Sequence, residues 1–184
     1  MREEATLLHQ LVLRAANSAP ERAALRYVDS TLSYAQLAEQ VRRFSDGLIA
    51  LRLQRGERVA IYLEKRFETV IAAFGAAASG AAFVPVNPLL KAEQVGHILR
   101  DCNVRVLVTS PERLALLRAE LARCGDLRHL VLTEGDVAAD GVPGIAVHRW
   151  EALLEAPAAP WHRVIDIDMA AILYTSGSTG KPKG

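Results

Sequence analysis

The sequence has few of the residues that mark disulfide-rich or zinc-binding proteins. It contains two cysteines in 184 residues, Cys102 and Cys124, and they stand 22 positions apart. Two thiols form no disulfide framework, and no C-x-x-C spacing indicates a zinc or redox site. We therefore expect both to be buried structural thiols, and a reducing, cytoplasmic location follows as the default.

An excess of one charge and a long apolar run are also missing. The 22 Lys and Arg residues nearly balance the 21 Asp and Glu residues, giving a net charge of +1, so we expect no nucleic-acid partner.

Residues 70–86 carry no charge, but they are shorter than the roughly 20 residues of a spanning helix and are interrupted by Gly75, Gly80 and Pro85. Residues 1–4 lack the apolar core of a signal peptide. We expect no transmembrane segment.

The apolar residues, which with the aromatics make up 51% of the chain, follow helix and strand periods in alternation. Residues 5–17 predict an amphipathic helix with Leu8, Leu11, Val12 and Ala15 on one face. A hairpin is predicted over residues 25–33, followed by a helix that begins at a capping box of Ser33 and Gln36. The later helices are predicted over residues 67–79, 91–102 and 111–124, with a short one over 150–155. Ser110 is predicted to cap the third of these, and Pro111 to open it. The strands are predicted over residues 59–63, 82–86, 104–108 and 129–132, with a polar loop over 134–144.

Alternation of this kind predicts the α/β class, with a mainly parallel sheet flanked by helices. We assign residues 1–184 to a single domain. Its helix and hairpin occupy residues 1–33, and the alternating part begins at residue 34. Asp166 and Asp168 are predicted to face one side of an extended segment, where capping or solvation is favoured over a metal site. The five histidines show no ligand spacing, so we expect surface or boundary positions for them, and we expect Trp150 and Trp161 to be packing anchors.

The last stretch carries the clearest chemistry. Residues 170–173 are apolar and predict a buried strand, which leads into a run of hydroxyl, glycine and lysine residues. Glycine lets backbone N–H groups turn toward an anion, and hydroxyl and ammonium groups add donors. This inventory predicts a loop that binds a polyphosphate. It is not the common NTPase P-loop, because Thr175 and Pro182 stand where that motif has Gly and Ser or Thr.

Residues 174–184 resemble the phosphate-binding motif of the AMP-forming adenylating enzymes, which include acyl-CoA synthetases, peptide synthetase adenylation domains and luciferases. The family pattern is Tyr-Thr-Ser-Gly-Ser/Thr-Thr-Gly-any-Pro-Lys-Gly, and the sequence matches it throughout. The resemblance implies binding of ATP with Mg²⁺, and a catalytic role for Lys183. The phosphate-binding residues that it implies are Thr175, Ser176, Gly177, Ser178, Thr179, Gly180 and Lys183.

The implied reaction joins a small-molecule carboxylic acid to AMP and then transfers the acyl group to a thiol such as CoA. Residues 32–37 and 80–88 resemble further motifs of the family, and Asn87-Pro88 favours acyl-CoA synthetases over peptide synthetases. Because family members are several hundred residues long, we interpret the chain as the amino-terminal portion of an AMP-forming acyl-CoA ligase, which alone forms no acyl-AMP. Two alternatives remain open: a non-catalytic binding or interaction module of the same fold, and a peptide synthetase adenylation domain.

Overall fold

A five-stranded parallel sheet with helices on both faces forms the centre of the molecule. The computed structural model describes residues 5–135, 141–175 and 182–184. The predicted α/β class with a mainly parallel sheet is confirmed. Part of the predicted loop over residues 134–144 lies outside the described residues.

The elements alternate along the chain as predicted. The helices are α1 (Gln10–Ser18), α2 (Tyr34–Ala50), α3 (Phe67–Ala78), α4 (Ala92–Asp101), α5 (Pro111–Leu121) and α6 (Trp150–Leu154). The strands are β1 (Ala23–Tyr27), β2 (Ser30–Ser33), β3 (Arg58–Tyr62), β4 (Ala82–Pro85), β5 (Val104–Thr109), β6 (His129–Leu132) and β7 (Ala146–Arg149). Strands β1 and β2 pair as an antiparallel hairpin. The others form one sheet in the order β4-β3-β5-β6-β7, and all their pairings are parallel.

Strand β3 is buried on both faces, which explains why its sequence is apolar throughout. Alternate side chains point to opposite sides of a strand. Val59 and Ile61 therefore pack in one core with α2, α3 and α6. Ala60 and Tyr62 pack in the other core with α4 and α5. Helices cover both faces of the sheet, as parallel sheets require.

The start of α2 confirms the predicted capping box. The Ser33 hydroxyl accepts the Gln36 backbone N–H at 3.3 Å, and the Gln36 side chain accepts the Ser33 backbone N–H at 2.9 Å. At α5, Pro111 occupies the first turn as predicted. Ser110 stands at the N-cap position but makes no side-chain hydrogen bond to the helix backbone, so its predicted capping role is wrong.

Helix α1 is shorter and less buried than predicted. The Gln10 side-chain oxygen accepts the backbone N–H groups of Thr6 and Leu7 at 3.0 and 3.2 Å. This contact satisfies donors of a turn ahead of the helix, so α1 begins at Gln10 rather than at residue 5. Val12 is buried, whereas Leu11 of the predicted apolar face is 54% exposed. A helix that packs at the edge of a domain buries a narrower stripe than its sequence offers.

The sequence does not predict strand β7, because its four residues include a histidine and an arginine and show no apolar run. It pairs with β6 in parallel, and the pairing brings two histidines together. His129 Nδ1 lies 3.1 Å from His148 Nε2. Burial lowers the pKa of both imidazoles, which favours a neutral pair in which one ring donates to the other. Both histidines are partly buried, so the boundary position expected for them is confirmed, although the sequence did not indicate their contact. The expectation is wrong for His9, which is buried.

We predict that Gly47→Ala destabilises the protein by about 1–3 kcal/mol, the usual cost of overpacking. A Cβ atom at Gly47 would lie 2.6 Å from the Leu153 carbonyl oxygen. Helix α6 would therefore have to move away from α2. The measurement is urea unfolding followed by circular dichroism.

Gly125→Ala is the matched control, because a Cβ at that position meets nothing within 4 Å. It should change the free energy of unfolding by about 0.5 kcal/mol or less. Equal stability of the two variants would contradict the close contact between α2 and α6.

Candidate phosphate-binding site

The chain enters the site along the outer side of β4, the edge strand of the sheet. The Phe83 N–H donates to the Ala170 carbonyl, and the Ile172 N–H donates to the Phe83 carbonyl, both at 3.0 Å. These bonds form one parallel bridge rather than a full strand. Leu173 is 65% exposed, so the predicted buried strand over residues 170–173 is wrong. The physical reason is position: at the sheet edge, no described element covers the far side of this segment.

Of the predicted site residues, the structure describes Thr175 and Lys183. The others, Ser176, Gly177, Ser178, Thr179 and Gly180, lie outside the described residues. The Thr175 N–H donates to the Lys183 carbonyl at 2.9 Å, and the Lys183 N–H donates to the Thr175 carbonyl at 3.1 Å. This antiparallel pair of backbone hydrogen bonds joins the two described arms of the loop, residues 174–175 and 182–184. Both side chains are exposed.

Tyr174 anchors the first arm to the end of α4. Its hydroxyl donates to the Asp101 carboxylate and lies 3.2 Å from the Cys102 sulfur. Burial and these hydrogen bonds raise the pKa of Tyr174 well above its usual range. The Tyr174 ring also packs closely against Gly184, because a Cβ at Gly184 would lie 2.7 Å from the ring atoms Cε2 and Cζ. Only glycine allows this approach without a shift of the ring or the backbone.

Both cysteines are buried free thiols, as predicted. Burial raises the pKa of Cys102 and Cys124, which keeps both protonated and unreactive near neutral pH. Cys102 nevertheless has a neighbour that the sequence did not predict, the Tyr174 hydroxyl.

The second arm also contacts α4. The Pro182 carbonyl lies 3.3 Å from His97 Nε2, and Pro182 is buried. From the sequence, His97 is expected at a surface or boundary position and has no assigned role; the structure shows it partly buried. A signal was available: His97 and Asp101 are four residues apart in a predicted helix, so they lie on one face. Without the tertiary structure, nothing indicated that this face meets the loop.

Polar contacts fix the connector that leads to the loop. Trp161 donates from Nε1 to Asp46 at 2.7 Å, and Asp46, only 2% exposed, also accepts from Arg42 at 2.7 Å. Asp168 pairs with Arg55 at 2.6 Å and accepts the Ile165 N–H at 3.0 Å. Asp168 is therefore a structural cap in a turn, so the extended form predicted for this segment is wrong.

Trp150 stacks on Phe44 with ring centroids 4.7 Å apart, and Trp161 is held by Asp46, so both tryptophans are packing anchors as predicted. In the part of the chain that the structure describes, no group of three His, Cys, Asp or Glu residues could hold a metal ion. Over the same residues, no helix is both long and apolar enough to cross a membrane.

Comparison with known proteins gives one family. The model of the AMP-binding enzyme family matches residues 12–184. Tyrocidine synthase 3 of Brevibacillus parabrevis is 33% identical over 180 residues, which are 96% of this chain and 2% of that protein. A feruloyl-CoA synthase of an Amycolatopsis species is 32% identical over 172 residues, 94% of this chain and 31% of the relative.

Solved structures agree with this match. The anthranilate CoA ligase AuaEII in complex with anthranoyl-AMP superposes with a TM-score of 0.82 at 25% identity, covering 96% of this chain and 32% of that one. The chain thus spans a third or less of the length of these relatives.

The position of Tyr174 generates a prediction about alkaline pH. A phenol whose pKa is raised in the folded state stabilises the fold below its unfolded pKa of about 10, and this stability is lost as the pH rises above that value. The free energy of unfolding of the wild type should therefore fall more steeply from pH 9.5 to 11 than that of Tyr174→Phe. The difference in slope is at most about 1.4 kcal/mol per pH unit, the limit for one proton.

Urea unfolding at several pH values measures both slopes. Tyr27→Phe is the control, because that ring is 44% exposed in the hairpin, and it should keep the wild-type slope. Equal slopes for the wild type and Tyr174→Phe would contradict the anchored phenol.

Proposed function

This chain belongs to the AMP-binding enzyme family of adenylate-forming ligases, and we propose that its loop over residues 174–184 binds the β- and γ-phosphates of ATP. The observation that carries the proposal is the mutual backbone pairing of Thr175 and Lys183. It brings together the two ends of residues 176–182, whose sequence consists of hydroxyl residues, glycines, a lysine and a proline. A segment of this composition can supply backbone N–H groups, hydroxyls and positive charge to a polyphosphate.

The described residues fit this ligand. Lys183 is exposed at the end of the paired arm, where its ammonium group is free to reach an anion. We propose Thr175, Ser176, Gly177, Ser178, Thr179 and Gly180 as further donors to the phosphates. Each hydrogen bond to a charged phosphate oxygen contributes about 1.5–3 kcal/mol. Mg²⁺ would be held mainly by the phosphates and by other residues of the longer ligase.

The proposed reaction is activation of a carboxylic acid as acyl-AMP, followed by transfer to a thiol such as CoA, within a longer ligase. Bound ATP supplies the electrophilic α-phosphorus and the pyrophosphate leaving group. The part of this chain is to orient that leaving group and to neutralise the charge that develops on it. The reaction needs no nucleophilic side chain from the protein, in agreement with the burial of both thiols.

A peptide synthetase adenylation domain is the second candidate, and the identity to tyrocidine synthase 3 favours it. Asn87, which in the sequence favours acyl-CoA synthetases, makes a local hydrogen bond in the structure. The Asn87 side-chain oxygen accepts the Leu89 N–H at 2.9 Å, and an aspartate would accept it equally well. The thiol acceptor therefore separates the two candidates: the complete enzyme should release AMP on addition of CoA, whereas release only with a pantetheinylated carrier protein would favour the second.

A stand-alone interaction module is less well supported. Apolar side chains are exposed in the turn after β4 and in the segment that leads to the loop: Leu89 at 89%, Ile167 at 85%, Leu173 at 65% and Met169 at 61%. Exposed apolar residues at a sheet edge favour coverage by further protein. This surface supports a role for the chain as one part of a larger ligase domain.

We predict that Lys183→Ala in the complete ligase lowers the adenylation rate about 10²–10³-fold, the usual effect of removing one donor that stabilises developing charge. Folding should not change, because the side chain is exposed. ATP–pyrophosphate exchange measures the rate, and thermal unfolding checks the fold.

Lys65→Ala is the matched control, since Lys65 is an exposed lysine in the turn between β3 and α3. It should keep the wild-type exchange rate. A wild-type rate for Lys183→Ala would remove Lys183 from the site.

A further inference from the structure

We propose that His97 is a positioning residue of the phosphate loop: from α4 it holds Pro182 and thereby sets where Lys183 lies. The inference rests on the proposed function for its catalytic meaning. Its geometric content, that a side chain of α4 holds the second arm of the loop, is independent of that function.

Three contacts join the two arms of the loop to α4 and to each other. Tyr174 ties the first arm to Asp101 on α4, and Pro182 ties the second arm to His97 on the same helix. The pairing of Thr175 with Lys183 then ties the two arms to each other. His97 and Asp101 are four residues apart, so the helix fixes the separation of the two anchor points at about 6 Å along its axis.

The helix that carries these anchors is itself held firmly. Val95, Ile98 and Leu99 of α4 are buried against the sheet, each at most 1% exposed. At its end, Arg58 donates to the carbonyl groups of Cys102 and, at 2.8 Å, of Asn103. A loop residue that binds to α4 is therefore held at a fixed position relative to the sheet.

The hydrogen bond from His97 suits the positioning of Pro182, because Pro182 has no backbone N–H group of its own. Proline has no backbone N–H, so its carbonyl is its only backbone hydrogen-bonding group. A carbonyl oxygen only accepts, so His97 must carry its proton on Nε2. The peptide group that receives this bond joins Pro182 to Lys183. Fixing that group orients the backbone from which the lysine side chain departs.

The first test measures amide hydrogen exchange by NMR in the 184-residue chain. In the wild type, the Thr175 and Lys183 N–H groups are bonded to each other's carbonyls and should be protected. His97→Ala should speed the exchange of these two amides about tenfold, which corresponds to the loss of one ordinary hydrogen bond. Amides of β5 and the thermal midpoint should not change.

Two further variants separate positioning from packing. His97→Gln should restore most of the protection, because a glutamine amide can donate to the Pro182 carbonyl. His162→Ala removes a comparable bond, from His162 to the Leu53 carbonyl at 3.0 Å, and should leave both loop amides as in the wild type. Unprotected loop amides in the wild type, or wild-type exchange in His97→Ala, would overturn the proposal.

The second test uses the complete ligase. His97→Ala should lower kcat for ATP–pyrophosphate exchange about tenfold, with a smaller change in KM for ATP, because a misplaced Lys183 acts mainly as charge develops. His97→Gln should recover most of the rate. If the exchange test succeeds but the wild-type ligase shows no adenylation, the proposed function fails while the anchoring stands. If wild-type adenylation is present and unaffected by His97→Ala, the positioning role fails.

Discussion

Burial of β3 and β5 on both faces is the constraint on which the rest of the structure depends. A strand without an exposed face cannot satisfy polar side chains, so its sequence must be apolar and each side needs a layer of helices. Helices α2, α3 and α6 supply one layer, and α4 and α5 supply the other. The lengths of the crossovers follow, since each helix must return the chain to the start of the next parallel strand.

Helix α4 connects this core to the candidate site. One of its faces is buried in the sheet, and another carries His97 and Asp101 toward the arms of the loop. The connector that precedes the loop is fixed separately, by Trp161 on the buried carboxylate of Asp46. The loop is therefore held by elements that are far apart in sequence. This arrangement suits a site that works by orientation and charge, because the ligand groups need fixed positions rather than reactive side chains.

Three elements departed from their sequence patterns for one shared reason, their place at the border of the domain. Helix α1 has a wide apolar stripe, but little of the domain lies beside it, so Leu11 remains exposed. Residues 170–173 are apolar enough for a buried strand, yet they lie outside the edge strand β4. Strand β7 has no apolar run and forms through backbone pairing with β6. At the border of the domain, the burial of a side chain depends on whether a neighbouring element packs over it, and the local sequence does not indicate this.

The sequence by itself determined the alternation of helices and strands, the parallel sheet, the capping box at Ser33 and the chemical inventory of residues 174–184. Each of these follows from periodicity or from residue types within a few positions. Only the tertiary structure decided which distant groups meet: His97 with Pro182, Tyr174 with Asp101 and Gly184, and His129 with His148. The physical reason is that such contacts depend on the packing of whole elements, whose relative positions are fixed by the shared core and not by the residues that come into contact.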